Sequence, residues 1–299
     1  MEVEHLAPTD QLVYLNEEIY PILDTLESPM IVIGGQAVAY WLAYYGIDQD
    51  LEEHIGLQAT SYDIDYCGKK EDFQKLTSIW GVDFETPDID HNTPELGRSI
   101  LLNSMKEIKD HKGSLYLDFF EYLFHSKQEP NVVDLLQLPA GFSKIDFENN
   151  RLEQHTVEFL FPEQFNLEPH SKLRILNPIG CLKSRMKNLF ELSHTKNPEV
   201  ELVRIKLLLP AIEMFLTEQL QEKGYREFRK PFDLLMQIAK TKQGFKLDVD
   251  HQVSLAGFIN HFADVQGERL PKELLSKEIP RWMEGYDKRR KGLYIAAMG

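Results

Sequence analysis

Cysteine is scarce in this 299-residue chain, and long apolar runs are absent from its sequence. Cys67 and Cys181 are its only cysteines and lie far apart, which excludes a disulfide framework and favours the cytosol. No stretch approaches the roughly twenty uncharged apolar residues that cross a bilayer. The segment MEVEHLAPTD is acidic and has no apolar core, so we do not expect a signal peptide. These absences predict a cytoplasmic globular protein that does not contact a membrane.

Several catalytic and cofactor motifs are also missing. The ten histidines and two cysteines form no H-E-x-x-H, H-x-H or C-x-x-C pattern, so a zinc site is not expected. No G-x-S-x-G motif supports serine-based acyl chemistry. A Walker lysine motif and the third glycine of a dinucleotide-binding fingerprint are absent as well. The remaining candidates for chemistry are acids, glycines and surface cations.

Acidic residues dominate the first half of the chain. Residues 1–150 hold 9 Lys and Arg against 28 Asp and Glu, whereas residues 151–299 hold 24 against 20. Nonspecific binding of duplex nucleic acid needs clustered cations, so the acidic half argues against it. Basic stretches in the second half, which solvated helix faces would also explain, are 183–187, 223–230 and 288–291. The asymmetry predicts two regions with different roles.

Hydrophobic spacing predicts both strands and helices in the first region. Apolar residues at helical spacing indicate helices over 9–27, with a kink at Pro21, and over 70–80. Residues 83–112 show little pattern, and TPDIDHNTPELG (86–97) is expected to be a loop. Short buried or alternating runs predict strands at 31–33, 61–66, the start of 114–123, 156–161 and 172–176.

Helical periods predominate after Pro178. The expected helices are 179–194, 199–221, 225–242, 249–264 and 271–290, separated by prolines and glycines. We therefore predict an α+β protein, with a mixed sheet and its helices over residues 1–176 and a helical domain over 177–299.

A strand that ends in two glycines is the first candidate for a binding site. In MIVIGGQAVAYWLAYYG the strand runs into Gly34 and Gly35, and a helix follows as far as Gly46. Glycine allows a tight turn and close approach of a ligand, and the N–H groups of a helix N-terminus favour an anion such as phosphate. Close packing of the strand against the helix would explain the same two glycines. The turn alone leaves both explanations open.

Two carboxylates lie one residue apart in SYDIDY. Residues two apart in a strand point to the same face, so Asp63 and Asp65 are expected to lie close enough to share a metal ion. Like charges on a strand that looks buried are costly unless a cation neutralises them, although solvated aspartates on an edge strand would also fit. A third acid is expected on a neighbouring strand, where LYLDFF offers Asp118. Oxygen ligands of this kind suit Mg²⁺, with phosphates as further ligands.

The order IGG, DID, LDF and then a helical region resembles the nucleotidyltransferase (polymerase-beta-like) superfamily. SYDIDY and the Gly-Gly helix are most similar to the branch that contains the AbiEii-type toxins of bacterial defence systems. In that branch a helix after a strand and a proline carries a lysine that contacts the nucleotide phosphates. ILNPIGCLKSRMKNL fits this description, with Lys183 as the counterpart. The match covers about residues 30–120 and this helix.

The resemblance implies a nucleotidyltransferase-like domain over residues 1–176 and an enzyme that moves a nucleoside monophosphate from an NTP to a hydroxyl. The acceptor would be RNA (tRNA in some toxin relatives), a protein or a small molecule. Mg²⁺ or Mn²⁺ would be the cofactor, and an antitoxin-like protein would be a candidate partner. The implied catalytic and metal-binding acids are Asp63, Asp65 and Asp118, and the implied nucleotide-binding residues are Gly34, Gly35, Ser61 and Lys183.

Two departures from the family pattern keep other functions open. The interval between Gly35 and Asp63 is long, and LEEHIGLQ is interpreted as an inserted loop. The toxin branch carries a K-D-x-x-D-like motif after the lysine helix, whereas TKNPEVELVRIK has no aspartate, so Glu199 or Glu201 would have to replace it. One alternative is a catalytically degenerate protein of the same fold that binds a partner protein. Another is a metal-dependent nuclease that uses the same acids.

Overall fold

The computed structural model divides the chain into two compact units, Met1–Ser184 and Arg185–Gly299. The predicted α+β class is confirmed, because the described strands all lie between residues 30 and 176 and only helices follow them. The predicted border between residues 176 and 177 lies at the start of a helix, and the observed division falls inside that helix. The residues that the structure describes are 7–51, 55, 63–87, 95–103, 115–124, 130–147 and 151–298.

Eight short strands occur in the described part of the first unit. They are β1 (Met30–Ile33), β2 (Ile64–Cys67), β3 (Glu95–Ile100), β4 (Leu102–Asn103), β5 (Leu117–Asp118), β6 (Val132–Leu136), β7 (Thr156–Glu158) and β8 (Leu173–Leu176). Six of them form one mixed sheet in the order β3-β6-β2-β1-β8-β7, and β4 pairs with β5 in a separate sheet. β1 is antiparallel to β2 and parallel to β8, whereas β2 is parallel to β6.

Six α-helices accompany these strands in the residues that the structure describes. They are α1 (Pro8–Ile19), α2 (Gly34–Tyr44), α3 (Lys70–Trp80), α4 (Phe119–Phe124), α5 (Leu152–His155) and α6 (Pro178–Glu191). The helix expected over residues 9–27 ends earlier, at Ile19, and continues as a 3₁₀ turn over Tyr20–Thr25. Pro21 explains the change, because proline has no N–H for the α-helical ladder.

One face of the large sheet is covered by helices. Val32, Tyr66 and Leu135 are partners in register on β1, β2 and β6, and all three are fully buried. The Tyr66 hydroxyl donates a hydrogen bond of 2.7 Å to Asn16 of α1, and its ring contacts Phe73 of α3. We call this the covered face, and it holds the hydrophobic core of the unit.

Most of the strand predictions overlap strands of the structure, and β7 lies within the predicted 156–161. β1 and β8 lie where strands were expected, and Asp63 immediately precedes β2 instead of lying within it. The sequence 114–123 gives only the two-residue β5 before α4 begins. β3 and β6 were not predicted, because a glycine and charged residues interrupt the alternation of β3 and an aspartate sits in the middle of β6.

The second unit is helical throughout its described residues. Its α-helices are α7 (Pro198–Glu218), α8 (Tyr225–Ala239), α9 (Lys242–His251), α10 (Leu255–Val265) and α11 (Ile279–Met298). Asn197, Thr241 and Ser254 cap three of them by accepting a hydrogen bond from a backbone N–H in the first turn. These caps agree with the helical pattern that the sequence shows after Pro178.

One of the predicted helices in this unit is wrong. Residues 249–264 were expected to form a single helix, but α9 ends at His251 and Gln252 adopts a left-handed conformation with φ of 57° before α10 begins.

Aromatic residues of α8 and α10 form part of the core. The ring centroids of Phe228, Phe232 and Phe262 lie 5.0 to 6.0 Å apart.

Within the described residues, no helix is both long enough and apolar enough to cross a lipid bilayer.

Candidate functional site

The Gly34 turn lies directly against Asp65. Gly34 joins β1 to α2 with φ of 73°, a left-handed conformation that favours glycine. A Cβ at this position would lie 1.8 Å from Oδ2 and 2.7 Å from Cγ of Asp65. The turn therefore needs glycine twice, once for its backbone angle and once because the carboxylate occupies the space of a side chain. This contact brings together two of the residues that the sequence singles out.

The α2 N-terminus begins at this turn. Ile33 is the N-cap residue, and its side chain has no oxygen that could accept from the first N–H groups of the helix. Gly34 is half-buried and Gly35 is buried. An anion near Gly34 would meet the positive end of the helix dipole.

Asp65 belongs to a row of residues across four strands. Its backbone is in register with Ile33 on β1 and with Asp134 on β6, and Asp134 is in turn in register with Arg98 on β3. Partners in register point to the same face of a sheet, so both carboxylates and the guanidinium lie on the face opposite the covered one. We call it the polar face. Two aspartates side by side on neighbouring strands repel each other unless a cation is near.

Arg98 supplies a cation at this point. Its Nε donates to Oδ1 of Asp134 at 2.7 Å, and its Nη2 donates to Oδ2 at 3.3 Å, which makes a two-pronged ion pair. Glu95 lies 3.5 Å from the same guanidinium. The hydrogen bond to Asp134 raises the pKa of Arg98, and the charges of Glu95 and Asp63 raise it further.

Asp63 lies next to this row but is not part of it. It is exposed and directly precedes β2, two residues before Asp65. Its charge acts on Arg98, which places it near the pair formed by Arg98 and Asp134. The expectation that Asp63 and Asp65 lie on one strand, close enough to share a metal ion, stays a prediction, because Asp63 lies outside β2.

The expected position of Asp118 is wrong. Asp118 was predicted to lie on a strand next to Asp63 and Asp65, but the neighbours of β2 are β1 and β6. Asp118 is in β5, which pairs with β4, and its partner in register is Asn103. The acid on the strand next to β2 is Asp134. The prediction fails because the strand that carries Asp134 was not identified.

Lys183 lies in a cluster of its own on α6. Its Nζ is 3.4 Å from Oδ1 of Asp146 and 4.2 Å from the ring centre of Phe142. Burial alone would raise the pKa of Asp146, but hydrogen bonds from Ser143 and the charge of Lys183 lower it. Within the described part of the chain, Lys183 forms its ion pair with Asp146 and with none of the aspartates of the polar face.

His155 is the buried neighbour of this cluster. Its Nε2 lies 3.5 Å from Oδ1 of Asp146, and its ring packs edge-on against Phe142. Burial lowers the pKa of His155 to about 4, and the charge of Lys183 lowers it as well. The imidazole is therefore neutral near pH 7. No local sequence pattern indicates this contact.

Two further predictions concern residues away from these contacts. Ser61, expected to bind nucleotide, lies outside the described residues, as does most of the stretch LEEHIGLQ. Glu201, one of the two candidates to replace the missing aspartates, is buried in the second unit. It forms ion pairs of 3.3 Å with Arg185 and Arg204 and accepts a hydrogen bond from Asn188. These contacts hold α6 and α7 together, which is a structural role.

The fit of a metal ion rests on the polar face. In the described parts of the chain, no three His, Cys, Asp or Glu side chains are grouped closely enough to hold a metal by themselves. Mg²⁺ is commonly held by one or two carboxylates together with substrate phosphates, so this finding is compatible with a magnesium site that the substrate completes. The carboxylate of Asp65 is the best-placed ligand, because it lies against the turn at the N-terminus of α2, where free N–H groups favour a phosphate.

No family model matches this chain, and comparison with curated proteins and with solved structures also finds no match. The resemblance to nucleotidyltransferases therefore rests on the residues themselves.

Asp134 and Arg98 are the site residues that sequence reasoning missed. A signal for Asp134 was present, since NVVDLLQLP contains a short apolar run with one aspartate in it. The prediction placed the strand with the third acid at 114–123 and not at residues 131–139. Nothing in the sequence around Arg98 distinguishes it from other surface arginines, because its role depends on the pairing of β3 with β6.

Proposed function

We propose that this protein is a Mg²⁺-dependent nucleotidyltransferase that transfers a nucleoside monophosphate from an NTP to a hydroxyl group. The acceptor is RNA, a protein or a small molecule, and a toxin of a bacterial defence system is the biological role that the resemblance favours. The observation that carries the proposal is the contact between the Gly34 turn and the Asp65 carboxylate, with Asp134 in register on the next strand.

In this proposal the β- and γ-phosphates of the NTP lie at the Gly34-Gly35 turn. The bare backbone and the N-terminus of α2 suit a polyphosphate. Asp63 and Asp65 hold Mg²⁺ together with the phosphates, and Asp134 takes the place that the sequence analysis gave to Asp118. The metal would neutralise charge on the phosphates and favour in-line attack at the α-phosphorus.

The chain's own residues supply the other functions. Asp134 is placed to accept the proton of the attacking hydroxyl once its ion pair with Arg98 opens. Lys183 would neutralise phosphate charge, but only after it leaves Asp146, 3.4 Å away. Pyrophosphate is the leaving group. The helical second unit, whose charge is more balanced, would bind the acceptor.

Transfer of label from α-labelled NTPs is the direct test. The purified protein is incubated with each of the four NTPs, Mg²⁺ and a cell extract, and labelled products are separated by size and by nuclease or protease sensitivity. The proposal predicts a labelled acceptor that depends on Mg²⁺. Shortening of a nucleic acid without incorporation of label would favour the nuclease alternative and contradict the transferase.

Matched variants identify the third acid. Asp65→Asn and Asp134→Asn should abolish both the labelling and the thermal stabilisation by Mg²⁺ with NTP, because a ligand that binds only the folded state must stabilise it. Asp118→Asn should retain both if Asp134 is the third acid. Asp83→Asn, a change to an exposed aspartate of the same unit, serves as the control for loss of charge.

A protein-binding module with a degenerate site is the second candidate, and the environment of Glu201 favours it. Glu201, one of the two residues that would replace the missing aspartates, is buried and paired, so it is not available to a substrate. This function predicts no thermal shift with any of the four NTPs and no labelled product. Retained binding of a partner by the Asp65→Asn variant would then support it.

A further inference from the structure

Arg98 occupies the place where positive charge is needed on the polar face. Asp65 and Asp134 stand side by side in register, and the guanidinium of Arg98 grips the second of them through two hydrogen bonds. Glu95 and Asp63 also act on it. A divalent cation bound to these aspartates would meet the same electrostatic demand that Arg98 meets in this structure.

The position of Arg98 makes it suited to exchange. It lies on β3, which is at the end of the six-stranded sheet, and its side chain is 44% exposed, whereas that of Asp134 is 11% exposed. A long, half-exposed side chain can leave its partner without unpacking a core. Asp134 cannot follow, because it lies on the interior strand β6 between β3 and β2.

We infer that the guanidinium of Arg98 takes the place of a metal ion beside Asp134. Arg98 must release Asp134 before a divalent cation can bind there. Released, the guanidinium finds a new partner in the polyphosphate of the nucleotide, since a planar fork of donors suits phosphate as well as carboxylate. Metal binding and nucleotide binding are then coupled, because each removes the obstacle to the other. The inference rests on the proposed function for its nucleotide part and on the Arg98–Asp134 pair alone for its metal part.

The metal part is tested with Mn²⁺ alone, by titration of the full chain and measurement of free Mn²⁺ by electron paramagnetic resonance. Arg98→Gln removes the competing charge and should bind Mn²⁺ about fivefold to tenfold more tightly than the parent. Arg98→Lys keeps the charge but loses the fork, and its affinity should lie between the two. Circular dichroism of both variants checks that the fold is intact.

Lys69→Ala is the matched control. Lys69 is a half-exposed cation that pairs with Glu27 at 3.1 Å, and it follows the opposite end of β2 from Asp63. Its removal changes the net charge by the same amount, so it corrects for a general attraction of cations to a more acidic protein. Its Mn²⁺ affinity should stay within twofold of the parent, as expected for a charge beyond screening distance of the site.

The nucleotide part uses the four α,β-methylene NTPs, which are not cleaved. With them present, the parent should bind Mn²⁺ more tightly than without them, and this gain should be smaller in Arg98→Gln. Equal or weaker binding of Mn²⁺ alone by Arg98→Gln, or no binding by any variant, overturns the inference. Tighter binding of Mn²⁺ alone by Arg98→Gln with no effect of the analogues supports the displacement of Arg98 and contradicts the nucleotidyltransferase proposal.

Discussion

The two faces of the six-stranded sheet use the same strands for different purposes. On β6, Leu135 points into the covered face and is fully buried, whereas its neighbour Asp134 points to the polar face and pairs with Arg98. On β2, Tyr66 and Asp65 divide in the same way. A single strand therefore contributes to the core with one residue and to the candidate site with the next. Changes on the two faces should separate stability from binding.

The largest expected effect breaks this separation, because Gly34 joins β1 to α2 and also lies against Asp65 of the polar face. Gly34→Ala forces a side chain against Asp65 and a left-handed angle on a residue with a Cβ. We expect a loss of about 4 kcal/mol in the free energy of unfolding, of which the backbone angle accounts for about 1–2 kcal/mol. Urea denaturation followed by the fluorescence of the buried Trp41 and Trp80 measures this loss.

Gly81→Ala is the control that isolates the backbone angle. Gly81 ends α3 with φ of 67°, close to that of Gly34, and a Cβ there would meet no atom within 4 Å. Its substitution should therefore cost only the strain of about 1–2 kcal/mol. Similar losses for the two variants would show that the Asp65 carboxylate does not crowd Gly34, and the contact that carries the proposed function would be lost.

Leu135→Ala sharpens the contrast from the covered face. The side chain has no exposed surface, and its removal leaves a cavity between the sheet and its helices. The expected cost is about 3 kcal/mol in the free energy of unfolding, as is usual for a buried leucine. The increase in melting temperature given by Mg²⁺ with NTP should persist, in a scan that begins at a temperature where the variant is folded. Loss of that shift in a folded variant would mean that the two faces are not independent.

Asp72 provides a smaller, pH-dependent effect on the covered face. Burial alone would raise the pKa of Asp72, but hydrogen bonds from the backbone N–H groups of Glu27 and Ser28, which precede β1, lower it to about 2. A carboxyl group with a lowered pKa stabilises the fold when the pH is above 3.8, its ordinary pKa. This stabilisation disappears as the pH falls towards 2. The contribution at neutral pH is about 2 kcal/mol.

The measurement compares Asp72→Asn with the parent between pH 6 and pH 2. The difference in unfolding free energy should be constant above about pH 5 and shrink below pH 4. Glu71→Gln changes an exposed carboxyl one residue away in the same helical turn and should show little difference at any pH. A difference between Asp72→Asn and the parent that persists at pH 2 would argue that the amide is simply a poor fit.

The covered face was largely predictable from the sequence, and the polar face only in part. The apolar run MIVI in β1 and the helical spacing of α3 predict directly which residues are buried, because the hydrophobic effect acts on each residue according to its type. Asp65 on β2 and Asp63 directly before it were also found, since two carboxylates one residue apart in a short apolar run are unusual. The covered face needs only that apolar residues recur at the correct period.

The rest of the polar face depends on which strands are neighbours. Asp118 and Asp134 both follow an apolar residue in a short run, and the sequence offers no measure of which strand pairs with β2. Sheet order is fixed by long-range contacts between β2 and β6, which are almost seventy residues apart. Arg98 is hidden for the same reason, because its importance comes from a register with Asp134 that no local pattern encodes.

The smallest effect on stability should come from Asp134→Asn, next to Leu135 on the same strand. The change weakens the pair with Arg98, which is half-exposed, and relieves the repulsion with Asp65, so the two effects offset each other. The free energy of unfolding should change by less than about 1 kcal/mol. In contrast, the stabilisation by Mg²⁺ with NTP should be lost. If Asp134→Asn instead cost as much as Leu135→Ala, Asp134 would be a structural residue, and the division of labour between the two faces would not hold.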